Sequence, residues 1–301
     1  MLNWRDPQNP LAGGAERVTH AYLQGLVERG HEVTWFANAF DGCNAEESID
    51  GIRVLRAGGK FTSWTKARKW YLEQKPFDLV IDQHHGIPWY APVWCPDKCV
   101  AYIHEVLGPI WDSFYSWPIS AIGKWQERLT LRQYCAVQFW TASSYTQDFL
   151  KEQGVQSVTQ IPYGVDTRSL EVLPEKELDE PLRLITVSRL APNKQVDHVV
   201  VALKILQEEH GLEANLKVVG QGQEGGALRQ LVDDLGLKDY VEFLGEISEA
   251  EKERELQEAH FLLHTSVREG WGLNVVEANA MGTPAIVYPS PGLMESTLHR
   301  E

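Results

Sequence analysis

EGWGLNVVEANAMGTP, residues 269–284, sets two carboxylates, Glu269 and Glu277, on either side of seven residues. The intervening stretch holds Gly270 and Gly272 but no Lys, Arg or His. A strand ends at Leu263–Ser266 and a helix begins near Asn274. The leading N–H groups and positive dipole end of that helix therefore face the crevice at the strand's carboxyl edge. Bare amides there suit an anionic or oxygen-rich ligand, and a carboxylate accepts hydrogen bonds from paired sugar hydroxyls. Two carboxylates across such a turn are spaced to grip two sugars with a phosphate bridge between them. Glu277 has a competing reading, because Asn274-x-x-Glu277 fits a capping box that needs no ligand.

Four further constellations lie at strand ends. In Val187-Ser188-Arg189-Leu190-Ala191-Pro192-Asn193-Lys194, two cations follow a strand; a planar guanidinium and a compact ammonium suit a diphosphate. Two solvated loop charges are the alternative. Val218-Val219-Gly220-Gln221-Gly222-Gln223 is a strand followed by a glycine turn, and a plain β–α connection explains it equally well. Gly13 and Gly14 open the first helix and permit close backbone approach to a phosphate. His104-Glu105 ends the strand VAYIH, where a histidine faces the crevice of a parallel sheet; a satisfied core histidine is the alternative. His84-His85 ends another strand in the same way and is a weaker candidate for acceptor contacts.

The elements that must hold these residues alternate along the chain. Ala15–Glu28, Gln126–Ala136 and Ser144–Gln153 read as helices, with Ser144 as a candidate cap. Glu32–Ala37, Asp78–Asp82, Val100–His104 and Val158–Pro162 read as buried parallel strands. Leu170–Pro181 (LEVLPEKELDEP) is acidic, holds two prolines and reads as a linker. Alternation then restarts. Strands are expected at 182–188, 214–219, 241–244, 261–265 and 284–288, with helices at 196–210, 224–235, 249–259 and 274–281. This pattern predicts two doubly wound α/β domains, residues 1–168 and 169–301, with ligand between them. Met1–Trp4 is the only chain available for a first strand. The sequence stops soon after a strand, so the second domain reads as incomplete, truncated at its C-terminus.

The chain has 301 residues and a formal net charge of −14. Residues 1–168 carry 16 Lys/Arg against 18 Asp/Glu, a net of −2; residues 169–301 carry 12 against 24, a net of −12. The acidic half argues against non-specific nucleic-acid binding. Cys43, Cys95, Cys99 and Cys135 form no pattern that completes a zinc site. No apolar run is long enough to span a bilayer, and a reducing cytoplasm is the expected compartment.

Together these motifs resemble glycosyltransferase family 4. The stretch Glu269–Pro284 is similar to that family's E-x7-E signature, Gly13-Gly14-Ala15-Glu16 to its N-terminal G-G loop, and Ser188, Arg189 and Lys194 to its Arg/Lys pair. The resemblance implies a GT-B fold of two Rossmann-like domains facing a cleft. It also implies retaining transfer from a nucleoside-diphosphate sugar, with no metal or other cofactor; no Asp-x-Asp occurs here. By matching position, Arg189 and Lys194 would hold the donor diphosphate and Glu277 the ribose hydroxyls. Glu269 and the Gly270-Trp271-Gly272-Leu273 backbone, running into Asn274, would hold the donor sugar. Gly13 and Gly14 would touch the distal phosphate, Gly220 and Gly222 would lie near the nucleobase, and His104 would contact the reacting sugar. The family's Asn-Gly-Val-Asp stretch is Tyr163-Gly164-Val165-Asp166 here, a departure at its first position.

A glycan, glycolipid or polysaccharide-precursor acceptor is expected. Ten of eleven tryptophans precede residue 141, among them Trp111, Trp117 and Trp125. Arg53–Lys75 carries seven Lys/Arg and one Glu, with Lys66-Ala-Arg-Lys-Trp70 on one helix. Peripheral contact with the inner face of a membrane would suit that stretch; a solvated helix over core tryptophans is the alternative. Two rival functions keep the same fold: a sugar phosphorylase or epimerase, and an inactive nucleotide-sugar binder.

Overall fold

The computed structural model describes residues 1–84, 88–108, 110–173 and 175–297. They form two compact units. The first comprises Met1–Gly108 with Ala121–Tyr163; the second takes the stretch before Ala121 and the chain from Gly164 onward. By packing, the chain divides after Tyr163, a few residues before the boundary expected at 168/169, and a short excursion preceding Ala121 clusters with the second unit.

The first unit contains α1 (Gly14–Glu28), β1 (Thr34–Ala37), β2 (Glu46–Ile49), β3 (Ile52–Arg56), α2 (Ser63–Leu72), β4 (Val80–Gln83), α3 (Ala91–Trp94) and β5 (Cys99–Tyr102). After α4 (Ile110–Phe114) of the excursion come α5 (Ile119–Gln133), β6 (Gln138–Thr141), α6 (Ser144–Glu152) and β7 (Ser157–Gln160). Strands pair in the orders β1-β3-β2 and β4-β5-β6-β7, all parallel except β2 against β3. Leu2 joins the two sets, bridged in parallel to Phe36 on one side and Asp82 on the other. The first strand expected at Met1–Trp4 is reduced to this one central residue, bridged on both sides. Trp35 and Ala37 enter one core cluster, and Phe36 between them enters another. That alternation is what a strand buried on both faces gives.

The second unit contains β8 (Leu182–Val187), α7 (Val196–His210), β9 (Ala214–Val219), α8 (Gly225–Asp234), β10 (Val241–Gly245), α9 (Glu249–Glu258), β11 (Phe261–His264), α10 (Leu273–Ala280), β12 (Ala285–Val287) and α11 (Leu293–Ser296). Its sheet is wholly parallel in the order β10-β9-β8-β11-β12. α7 and α8 bury Val199, Leu203, Leu228 and Val232 with Leu184 and Leu263. Leu256 of α9 and Val275 of α10 pack with Ile185 and Leu262 on the alternate positions. The strand order reverses between β8 and β11, and a doubly wound sheet opens its crevice at that switch point.

Several boundaries differ from the sequence reading. α5 begins at Ile119, seven residues before the expected start. α6 is capped by Ser143, not Ser144: its hydroxyl accepts from the Thr146 amide at 3.1 Å. The β2–β3 hairpin was not anticipated. The expected linker at 170–181 carries no helix or strand among its described residues. It is tied to the second unit by Lys176, whose ammonium donates to the Ala259 carbonyl at 2.7 Å and to Thr283.

Candidate active site

The switch point of the second unit assembles a carboxylate clamp. Glu269 stands in the loop after β11, and three donors converge on its Oε1. These are the His264 Nε2 at 2.9 Å, the Ser266 hydroxyl at 2.7 Å and the Lys194 ammonium. Oε2 has no hydrogen-bond partner among the described residues. The His264 tautomer follows from its other side: the Asn274 amide donates to Nδ1 at 2.6 Å and to the Val187 carbonyl at 2.7 Å. Nδ1 is therefore the acceptor and Nε2 carries the proton donated to Glu269. Burial pushes the Glu269 carboxyl up, but the Lys194 ammonium and then His264 outweigh it, leaving the group well below the ordinary carboxylate range. It is a fixed anion beside a fixed cation, 15% and 14% exposed.

Glu277 and Glu269 are not equivalent. Glu277 lies in the second turn of α10, is 3% exposed, and meets the Lys252 ammonium of α9 at 2.9 Å. Lys252 also reaches Glu249 at 2.6 Å. The capping-box alternative does not form, because the N-cap is Gly272 and Asn274 sits inside the helix. Gly272 has φ +86°, and a Cβ there would come within 2.6 Å of the Leu293 side chain. The turn into α10 thus requires glycine. Gly270, Trp271 and Leu273 flank it, half-buried.

Arg189 is exposed on the loop after β8, and Ser188 precedes it, half-buried. Gly220 and Gly222 have a structural explanation. A Cβ at Gly220 would stand 1.9 Å from the Ser188 carbonyl oxygen, and one at Gly222 would stand 2.2 Å from that of Leu190. The Leu190 amide donates to Gln221 O at 2.9 Å and the Glu224 amide to Leu190 O at 3.0 Å. The two rim loops are therefore locked backbone to backbone, an arrangement that bare glycines permit.

In the first unit, Gly13 caps α1, and its amide donates to Glu16 Oε2 at 2.8 Å. Arg5 holds the other Glu16 oxygen at 3.2 Å. One amide of the expected phosphate loop is thus already engaged by protein; Gly14 is exposed. β5 ends at Tyr102, so His104 lies two residues beyond the strand, 7% exposed. Its Nδ1 is 2.6 Å from the Tyr163 hydroxyl and 3.2 Å from that of Tyr102. His84 is buried against the Tyr134 ring; His85 lies outside the described residues. On α2, Lys66, Arg68 and Lys69 are exposed, whereas Trp64 and Trp70 pack onto the core. Of the tryptophans flagged after His104, Trp117 (81%) and Trp125 (63%) are exposed and Trp111 is half-buried. Among the described residues no helix is long and apolar enough to cross a membrane.

Residue type alone singled out Glu269, Lys194 and Glu277. It missed His264, Ser266 and Lys252, which hold those carboxylates, and Tyr102, which lies against His104.

Residues 12–169 match the family described as Glycosyltransferase Family 4, and residues 171–301 match Glycosyl transferases group 1. A GDP-mannose-dependent alpha-(1-6)-phosphatidylinositol monomannoside mannosyltransferase of Mycobacterium tuberculosis is 31% identical, over 97% of this chain and 81% of its own. The chain is similar to WaaG, a glycosyltransferase involved in lipopolysaccharide biosynthesis. That likeness has a TM-score of 0.72 and 17% identity, and covers 98% of this chain and 82% of WaaG. It is also similar to HepE of Anabaena, solved with UDP-glucose (TM-score 0.73, 17% identity, 99% and 82% coverage). These likenesses establish the GT-B fold, with one Rossmann-like domain in each unit.

Proposed function

Because the chain belongs to Glycosyltransferase Family 4, we propose that it is a retaining, metal-independent glycosyltransferase. It moves a sugar from a nucleoside-diphosphate sugar to a hydroxyl of a glycan, glycolipid or polysaccharide precursor. The observation that carries this reading is the Glu269 clamp, in which three donors fix one carboxylate oxygen and leave the other for a sugar hydroxyl.

In this reading Lys194 and Arg189 flank the donor diphosphate. Negative charge grows on that diphosphate as the glycosidic bond breaks, so cations fixed in a partly dry loop stabilise the transition state more than the ground state. The leading amides of α10 add to that field. Glu277, its charge balanced by Lys252, accepts from the ribose hydroxyls. His104 contacts the reacting sugar. The departing phosphate assists the acceptor hydroxyl, and no carboxylate is assigned as a covalent nucleophile. Relatives use different donors, one named for GDP-mannose and one solved with UDP-glucose.

Calorimetric and thermal-shift titration with UDP, GDP and ADP tests the donor site. One nucleotide is expected to bind selectively, with Arg189→Ala and Glu277→Ala each weakening it by about tenfold or more. Absence of binding by any of the three to folded protein would overturn the reading.

The proposal includes peripheral contact with anionic lipid, supported by the exposed Lys66, Arg68 and Lys69 on α2. Co-sedimentation with phosphatidylglycerol vesicles is expected at low salt and is lost at high salt, since exposed charges are screened within a Debye length. No co-sedimentation at low salt would remove this part.

A further inference from the structure

We propose that the outward face of α5 is a membrane-inserting surface, which seats the first unit on an anionic bilayer by sinking Ile122 and Trp125 to the boundary of the acyl chains. The inference deepens the lipid contact of the preceding subsection. That contact rests on the charges of α2; this one is apolar and lies on another helix.

Residues 121–133 of α5 belong to the first unit, and the helical repeat sorts them into two faces. Gly123, Glu127, Thr130 and Leu131 are buried, and Leu131 enters the core cluster that holds Val80 and Phe139. Ala121, Ile122, Trp125, Arg128 and Arg132 fall together on the opposite side and are exposed, with Leu129 half-buried among them. Ile122 is 60% exposed and Trp125 63%. Single exposed apolar residues are ordinary on a protein surface. Here two large ones share a face three residues apart, and Leu129 follows one turn beyond Trp125, so the apolar area is continuous.

Charge decides what this face meets. The chain carries 42 Asp and Glu against 28 Lys and Arg, so a carboxylate is the commoner charge on its surface. The outward face of α5 has none. The one carboxylate of the helix, Glu127, is turned inward and 3% exposed; it accepts from the Leu107 amide at 2.6 Å and the Gly108 amide at 3.0 Å. Arg128 and Arg132 stand instead at the C-terminal end of the apolar stripe. An indole, with an apolar body and one N–H, suits the depth of lipid headgroups. Long arginine side chains reach phosphates while the residues beside them are submerged. Cations at the end of an apolar stripe also meet the negative surface potential of an anionic leaflet. Apolar area with cations and no carboxylate is therefore complementary to such a bilayer in both respects.

Phosphatidylglycerol vesicles with brominated acyl chains test this on the full chain, at low salt and without nucleotide. Brominated lipid is expected to quench the tryptophan fluorescence of the wild type. Trp125→Phe, which keeps an aromatic ring, is expected to bind within about twofold of wild type while losing a large part of that quenching. Ile122→Asn combined with Trp125→Asn is expected to weaken partition to phosphatidylglycerol vesicles by about tenfold or more. Arg128→Gln and Arg132→Gln are each expected to weaken it by about fivefold, with no effect on phosphatidylcholine vesicles. Quenching unchanged in Trp125→Phe would overturn the proposal, and so would unchanged partition of the double asparagine variant. Should the double variant unfold, Trp125→Phe alone still decides. Glutamine at Lys66, Arg68 and Lys69 separates the two contacts. Binding lost there but kept in the α5 variants would sink this proposal and leave the α2 contact standing; the converse result would sink the α2 contact alone. A wild type that is not quenched and self-associates in the ultracentrifuge, with Trp125→Asn restoring the monomer, would assign the face to a protein partner and overturn the proposal. No readout involves a nucleotide, so failure of the transferase reading is scored separately.

Discussion

Glu269→Gln is expected to slow sugar transfer by about 10²–10³-fold, the scale seen when a single oriented electrostatic group is lost from a transition-state clamp. The substitution keeps shape and removes charge. His264 and Ser266 still have an oxygen to donate to, so the loop is held, but the outward-facing carboxylate oxygen no longer carries negative charge toward a sugar hydroxyl. Nucleotide affinity should hold or improve, because Lys194 is now paired with Glu269 and a diphosphate must compete for it. Initial rates of nucleoside-diphosphate release, set beside calorimetric affinity for the nucleotide, separate the two effects. A parallel loss of affinity would assign Glu269 to the nucleotide, and an unchanged rate would remove it from the donor site. The same variant carries a pH signature. A carboxyl held below its ordinary range contributes stability above the unfolded value, and that contribution disappears as pH falls toward the folded one. Glu269→Gln is therefore expected to melt below wild type at pH 7, with the gap narrowing on acidification below about pH 4.

What was legible in the sequence follows from how each feature is encoded. The second unit's inner strands carry buried residues on both faces, so LRLITV and ANLKVV are short, largely apolar runs with sharp ends. Among their helices α9 is capped by Ser248, and α7 stops at Gly211 and matches its expected bounds, Val196–His210. In the first unit the β2–β3 hairpin escaped notice because Glu46–Ile49 is half-polar and exposed on alternate residues. A signal for it was present. Asp50-Gly51 is a two-residue turn, and both residues have positive φ, 50° and 80°. The site was legible where residue type carries the chemistry, as with two glutamates around a glycine turn. It was not legible where a side chain acts by meeting another far along the chain. His264 closes the run FLLH and reads as strand, yet it is one of three donors to Glu269. Tyr163 read only as a missing asparagine, and its partner Tyr102 only as part of the strand VAYIH.

Lys252 is the strongest case of that kind, and its removal has the second largest expected effect. It sits in EAEKERELQE, a helix that looks solvated throughout, but it is 6% exposed and shares the inward face with Leu256 four residues on. Lys252→Met takes away the ammonium 2.9 Å from a carboxylate that is itself 3% exposed. Breaking a buried pair from one side costs about 3–5 kcal/mol, because the remaining ion keeps its desolvation penalty. Urea unfolding is expected to show that loss with an unchanged slope. Glu277→Gln in the Lys252→Met background is then expected to restore more than half of it, since the neutral amide needs no counter-charge. The double variant is the informative one for function. It rebuilds a folded α9–α10 contact without a carboxylate at 277, so nucleotide affinity measured on it reads the ribose contact apart from stability. Recovered folding with affinity still about tenfold down would make Glu277 the ribose acceptor and Lys252 the cation that lets a carboxylate be buried there. Recovered folding with wild-type affinity would make the pair a structural tie between the two helices.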